Sequence, residues 1–312
     1  MANIVIIGFG NIGKRHFEAC IKNKNIQKIY IIDKNKSQFQ NYKFENINKE
    51  IVIVNNIQKL EENFFLAIIS TDSMNRYSVT KNFLKKNVTK YILFEKFLFN
   101  KNYHFNYMNK LLKQKKINAY VNCNRRLSRD YINIKNKYGN QIKKVLVEGS
   151  KWNFMSNSIH FIDLFMFLTN SSDIILNDYL FEKEISSNRN KYTEIHAKMS
   201  FISNNKVLTL IDISKPMTNK LTIYCKKIII EIIESEKIIN FLDLNKKIKK
   251  TVSLKEPIYV SNTTNLAIKN IYKYKKPKLI DFSSSSKHHK VFLKALNKMF
   301  KKTFLNNNYI IT

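Results

Sequence analysis

Glycine is the residue type that most constrains this chain. There are five in 312 residues, against an average usage of about 7%, and three of them stand together as Gly8-Phe-Gly10-Asn-Ile-Gly13. A chain that avoids glycine elsewhere keeps it where a G-x-G-x-x-G turn demands it. The apolar run Asn3 to Ile7 before the turn suits a buried parallel strand, and Ile12, Phe17, Ala19 and Cys20 after it supply one side of a helix. In that setting Gly8 permits the tight turn, Gly10 lets a pyrophosphate approach the backbone, and Gly13 lets the helix pack close to the strand. The first helical residues, Asn11 and Ile12, add free N–H groups and the positive end of the helix dipole. Gly8, Gly10, Asn11, Ile12 and Gly13 are therefore predicted to hold the phosphates of a dinucleotide.

A second strand, Lys28 to Ile32, ends in Asp33, 20 residues after Gly13. A carboxylate there accepts hydrogen bonds from the adenosine ribose and repels a 2′-phosphate, which favours NAD. Lys34 beside it keeps NADP as the alternative. Strands follow at Ile51 to Val54, Phe64 to Ile69, Lys90 to Phe94 and Ile117 to Val121. Helical stretches lie between them at Ser78 to Leu84 and Tyr103 to Leu112. Such alternation builds a doubly wound parallel sheet of the Rossmann type. Ligands sit at the carboxyl ends of its strands, and two of those ends carry polar clusters, one from Ser70 and Thr71 to Arg76 and one at Glu95-Lys96.

The rest of the composition narrows the class. Hydrophobic residues at 44% and aromatics at 12% support a large core and exclude a disordered chain. Three scattered cysteines exclude a disulfide framework and a thiolate metal cluster, so no metal is expected. No apolar run approaches the ~18 residues of a membrane span, and the opening lacks the basic head of a signal peptide. A cytoplasmic protein without membrane association is expected. The formal charge of +32 points toward anionic ligands. Only six of the 55 basic residues are arginine, however, and base readout favours arginine's bidentate fork. Lysine, asparagine and isoleucine are heavily used along the whole chain, the mark of compositional drift, and nucleic acid is not the expected partner.

In the second half, Tyr192 to Phe201, Lys206 to Ser214, Leu221 to Cys225 and Lys227 to Ile233 read as strands of a largely antiparallel sheet. Ile159 to Leu168 is a helix apolar on nearly every face, with His160 and Asp163 as its only polar members. Beyond Ser283 to Ser286 a final helix carries Lys290, Lys294, Lys298 and Lys301 on one face and Val291, Phe292, Ala295, Leu296 and Met299 on the other. The fold class is α/β: a dinucleotide-binding domain over residues 1–121, then an α+β substrate and dimerisation domain with an open sheet over 122–312.

At this point the chain resembles the glucose–fructose oxidoreductase/inositol dehydrogenase family (Gfo/Idh/MocA) of nicotinamide-dependent sugar oxidoreductases. The matching pieces run in order. Gly8 to Gly13 with Lys14-Arg15-His16 is similar to the family's opening fingerprint, and Ile69-Ser70-Thr71 to its cofactor-contacting turn. Phe94-Glu95-Lys96 resembles the Glu-Lys-Pro motif with its catalytic lysine. Asn122-Cys-Asn124-Arg125-Arg126 resembles the lead into the second domain, and Trp152 to Leu164 the substrate-side helix with its catalytic histidine. Two departures stand out. Phe97 replaces the usual proline, and Ser156 stands where many members carry an aspartate four residues before the histidine.

The resemblance implies that Lys96 transfers the hydroxyl proton and that His160 assists or polarises the same oxygen. Ser70, Thr71, Arg76 and Glu95 join the glycine loop and Asp33 as cofactor contacts. Asn124, Arg126, Asn157 and Asp163 are the candidate substrate contacts. The i,i+3 spacing of His160 and Asp163 allows Asp163 to orient the imidazole, or a purely structural pair. Arg125, Arg126 and Arg129 form either an anion site or a solvated helix start. The implied activity is hydride transfer between NAD(P) and a secondary carbon of a sugar or nucleotide sugar, in a homodimer or homotetramer. A non-catalytic dinucleotide-binding sensor is the alternative, and a nucleic-acid-binding protein a more distant one.

Overall fold

The computed structural model describes residues 2–40, 42–44, 47–187, 192–255, 259–302 and 311. It divides into two compact units, Met1–Asn124 with Ile258–Ser286, and Arg125–Pro257 with Lys287–Thr312.

The first unit begins with β1 (Ala2–Ile7), α1 (Asn11–Ile21), β2 (Ile26–Ile32), the short α2 (Ser37–Gln40), β3 (Glu50–Val54) and β4 (Asn63–Ile69). It continues with α3 (Arg76–Lys86), β5 (Val88–Phe94), α4 (Asn102–Gln114) and β6 (Asn118–Val121). The strands are hydrogen-bonded in the order β6-β5-β4-β1-β2-β3, all parallel. The order reverses between β1 and β4, the switch point where doubly wound sheets bind their ligands. Ile4, Ile6, Ile29, Ile31, Ile68 and Ile92 are fully buried or nearly so. A parallel sheet covered on both faces requires such continuous apolar runs.

The second unit contains α5 (Arg129–Tyr138), β7 (Ile142–Gly149), α6 (Phe154–Thr169), β8 (Ile175–Ser186), β9 (Thr193–Ser203) and β10 (Lys206–Asp212). Then come β11 (Lys220–Cys225), β12 (Ile229–Ile233), β13 (Ile238–Leu242) and β14 (Ile248–Ser253). Its eight-stranded sheet runs β14-β13-β12-β11-β7-β10-β9-β8. Every pairing is antiparallel except β7 with β10. Helix α6 packs on β7, β9 and β10. Strand β8 escapes the apolar-run reading because its residues alternate between half-buried and exposed.

The chain then supplies α7 (Val260–Tyr274), β15 (Ile280–Asp281) and α8 (Phe282–Lys302). Helix α7 packs on α1, and β15 adds an antiparallel edge to β6. Residues 258–286 thus cluster with the first unit, whereas the sequence reading assigned everything after 121 to the second. The cause is long-range packing: Thr263, Ala267, Ile268 and Ile271 form a buried stripe on α7, and Phe65 stacks on Tyr272 at 4.4 Å. Among the described residues no helix is long and apolar enough to cross a membrane, and no group of three or more His, Cys, Asp or Glu side chains is arranged to hold a metal ion.

Candidate active site

The three glycines do different jobs. Gly8 has φ +98°, and a Cβ there would lie 2.7 Å from the Thr71 nitrogen and 2.8 Å from the Ser70 carbonyl carbon. A Cβ on Gly13 would lie 2.0 Å from the Gly8 oxygen. Both positions are closed to any larger residue by the protein itself. A Cβ on Gly10 would meet nothing within 4 Å. The middle glycine therefore faces open space, directly before the first turn of α1, whose leading N–H groups have no intrahelical acceptor. That is the cradle a pyrophosphate fits.

The loop is braced from several sides. The Gly8 N–H donates to the Ile32 carbonyl at 2.8 Å, and the Ser70 hydroxyl donates to the Gly8 carbonyl at 2.7 Å. Phe9 is fully buried among Phe17, Phe39, Tyr42 and Phe44, with centroids 5.3–6.0 Å away. The Asp33 carboxylate accepts from the Phe9 N–H at 2.6 Å and from the Asn35 N–H at 2.8 Å. It is half-buried at the end of β2, and each carboxylate oxygen has acceptor capacity beyond one hydrogen bond. The Thr71 Oγ1 is buried with no hydrogen-bond partner among the described residues. An open cradle, an anchored carboxylate and an orphaned hydroxyl beside the loop together fit a dinucleotide.

Two expected cofactor contacts turn out to be internal braces. Glu95 is buried, with its Oε1 2.9 Å from His16 Nε2 and accepting from Asn122 Nδ2 at 2.5 Å. His16 Nδ1 lies 2.9 Å from Thr264 Oγ1 on α7. Burial alone would raise the Glu95 carboxyl's pKa, but the hydrogen bond and charge of His16 and the Asn122 amide outweigh it and hold it below its ordinary value. Arg76 is buried as well. Its guanidinium donates to the carbonyls of Thr71, Phe97 and Leu98, tying the turn after β4 to the turn after β5. A carboxylate and a guanidinium at these positions satisfy backbone and side-chain groups that burial would otherwise leave unpaired. Lys96 follows β5 at half exposure, and the Lys96–Phe97 peptide is cis.

In the second unit α6 presents one half-buried stripe, Asn157, His160, Phe161 and Phe167, and buries almost everything else. Asp163 lies on the buried flank of that stripe and accepts from Arg126 Nε at 2.6 Å. Burial pushes its carboxyl upward by more than Arg126 pulls it down. The expected orientation of His160 by Asp163 is thus replaced by an Asp163–Arg126 pair, and the guanidinium also covers the Phe167 ring at 5.2 Å.

The three neighbouring arginines part company. Arg125 forms a two-point ion pair with Glu234 at 2.9 and 2.7 Å, and Tyr131 donates to the same carboxylate at 2.6 Å. Arg129 is exposed. In the first unit, Asn124 is buried and makes a long 3.5 Å contact with Thr263. Asn157 donates to the Trp152 carbonyl at 2.7 Å.

Two carboxylates were not foreseen. Glu194 on β9 accepts from the Met155 N–H at 2.7 Å, the Ser156 N–H at 3.1 Å and the Ser156 hydroxyl at 2.5 Å. Asp212 on β10 accepts from the Lys151 and Trp152 N–H groups at 3.1 and 2.9 Å, and lies 2.5 Å from His196 Nδ1. The signal was present in Thr193-Glu-Ile-His-Ala: an acid and a histidine at alternate positions, hence on one face, of a strand otherwise read as core. The carboxylate absent at Ser156 reaches that side chain from Glu194.

Comparisons with known proteins agree with the fold. Over the whole chain the fold is similar to UDP-N-acetylglucosamine 3-dehydrogenase GnnA from Acidithiobacillus ferrooxidans, with TM-score 0.73, 10% identity and coverage of 94% of this chain and 96% of that one. It is also similar to the transcriptional regulator Gal80p from Kluyveromyces lactis, with TM-score 0.72, 15% identity and coverage of 96% and 92%. Biliverdin reductase from Synechocystis sp. PCC 6803 gives TM-score 0.69 at 11% identity, covering 95% and 97%. No curated protein sequence matches the chain. Residues 2–123 match the family model described as "Oxidoreductase family, NAD-binding Rossmann fold". The Gly8–Gly13 cradle, the parallel sheet and that match make residues 2–123 a Rossmann-type NAD-binding domain, similar to that of the Gfo/Idh/MocA oxidoreductases.

Proposed function

We propose that this protein is an NAD(P)-dependent oxidoreductase acting on a secondary hydroxyl or ketone of a sugar or nucleotide sugar. The observation that carries the reading is the open cradle at Gly10, at the carboxyl end of the same sheet from which β5 leads directly into Lys96. Bound nicotinamide supplies the site of hydride exchange. Asp33 holds the dinucleotide's ribose hydroxyls, Thr71 donates the hydroxyl hydrogen bond that the protein leaves unused, and the first turn of α1 carries the phosphates. Lys96 Nζ takes up or returns the substrate hydroxyl's proton. His160 is the second proton-handling residue, and Asn157 and Arg126 the substrate contacts. The substrate class is supported by one similar structure, a nucleotide-sugar dehydrogenase, and the chain's positive charge suits an anionic, nucleotide-linked substrate.

Fluorescence titration with NADH and with NADPH tests the cofactor, with tighter NADH binding expected from Asp33. Lys96→Met and His160→Ala are then expected to lower turnover on a responsive sugar by about 10² or more each, with cofactor affinity retained. Full turnover in both variants would refute the mechanism. Cofactor binding without turnover on any sugar or nucleotide sugar would instead make the protein a non-catalytic dinucleotide-binding one.

A further inference from the structure

We infer that Glu194 is a positioning residue: it holds the turn of α6 from which Asn157 and His160 project, and so sets where those two side chains stand. The inference rests on the reading of α6 as the substrate-facing helix. Helix α6 opens without a local cap, since Asn153 makes no side-chain cap hydrogen bond. Its first-turn N–H groups need acceptors from elsewhere. Glu194, 38 residues away in sequence from Ser156, takes two of them together with the Ser156 hydroxyl. Ser156 precedes Asn157 directly and stands one turn before His160, so a shift of Ser156 carries both.

The neighbouring carboxylate completes the arrangement. Asp212 takes the Lys151 and Trp152 N–H groups and pairs with His196, two residues along β9 from Glu194 and therefore on the same face. Two carboxylates on adjacent strands thus hold four backbone N–H groups of the segment that enters α6. Within that segment Lys151 and Asn153 have φ of 52° and 60°. Non-glycine residues hold the left-handed region only where their surroundings over-determine it, and such positions cluster at functional sites. Asn157 closes the loop by donating back to the Trp152 carbonyl. A helix that needed only an N-cap would be served by a serine or aspartate at its own N-terminus. Here the charge comes from the sheet, which references the start of α6 to β9.

The test uses the full-length protein and two variants, Glu194→Gln and Ser156→Ala. The chain has six histidines, so the His160 ring-proton resonances can be assigned by their loss in His160→Asn. In both variants the His160 signal is expected to shift or broaden, more so in Glu194→Gln, while the His16 and His104 signals of the first unit stay in place. Cofactor affinity is expected to remain within about twofold of the parent, and kcat to fall about tenfold to a hundredfold in Glu194→Gln. An unmoved His160 signal in folded Glu194→Gln, or movement of all the histidines together, would overturn the inference. If Glu194→Gln does not fold, a third variant, Glu194→Asp, which keeps the charge but withdraws it by one methylene from the Met155 and Ser156 N–H groups, carries the same test, and an unmoved His160 signal there overturns it equally. A displaced His160 signal in a protein that turns over no sugar would sustain the positioning role and remove the oxidoreductase reading.

Discussion

The glycine loop separates two requirements that a sequence motif merges. Gly13 is required by the protein: an added Cβ would sit 2.0 Å from the Gly8 carbonyl oxygen, a contact relieved only by moving backbone. Gly10 is not required by the packing of the protein, because an added Cβ there would meet nothing within 4 Å. Alanine at the two positions is therefore expected to behave differently. Gly13→Ala should lower stability by about 3 kcal/mol, in the range of overpacked sites, with a fall in thermal midpoint. Gly10→Ala should leave the midpoint nearly unchanged and weaken NADH binding by tenfold or more, about 1.4 kcal/mol. Equal loss of stability in both variants would show that the cradle is part of the packed protein.

Elements are joined by a few buried polar groups rather than by apolar contact alone. Glu95 follows β5, His16 lies on α1, Asn122 follows β6 and Thr264 is on α7, and one chain of hydrogen bonds links all four. The Glu95 carboxyl is held below its ordinary value of 4.5. Its contribution to stability is thus fully present above that value and is lost as the pH falls through the lower, folded-state value. Glu95→Gln is expected to reduce stability near neutrality by about 2 kcal/mol, as loss of a charged acceptor from buried donors does. The gap between variant and parent should narrow on acidification below the ordinary carboxyl range, which denaturant titrations at several pH values would measure. A gap independent of pH would mean that Glu95 acts by shape alone. Arg76 plays the same joining role between the turns after β4 and β5, which explains why a buried arginine occupies a position expected to touch a ligand.

At the scale of the whole molecule, the dinucleotide unit is not contiguous. Helix α7 packs on α1, the helix of the glycine loop, and β15 extends the sheet beside β6. A fragment ending at 124 would expose the faces of Phe65 and His16 that Tyr272 and Thr264 cover. Such a fragment is expected to be poorly folded and to bind NADH weakly. Joining 258–286 to it through a flexible linker should restore cooperative unfolding and binding. Comparable stability and affinity with and without that segment would show that α7 contributes nothing to the cradle.

How far the chain could be read in advance follows the range of the interactions involved. The glycine fingerprint, Asp33, the apolar strands of the first sheet and the apolar α6 are local patterns of glycine spacing and hydrophobic period, and each stands in the structure where the sequence put it. Side-chain partnership is set by elements far apart in the chain, and there local reading ran out. Glu95, Arg76 and Asp163 were polar groups at promising places, and tertiary packing gave them to His16, backbone carbonyls and Arg126. Glu194 and Asp212 looked like ordinary strand residues until the sheet brought them under the start of α6. The same held for α7, whose apolar stripe says that it packs but not on what. That a dinucleotide-binding sheet forms is written in the chain's order of residues, because backbone geometry and hydrophobic period are local properties. Which buried charges brace the site and which face a ligand was decided only by the tertiary structure, because a buried polar group takes whatever partner the fold brings within hydrogen-bonding distance.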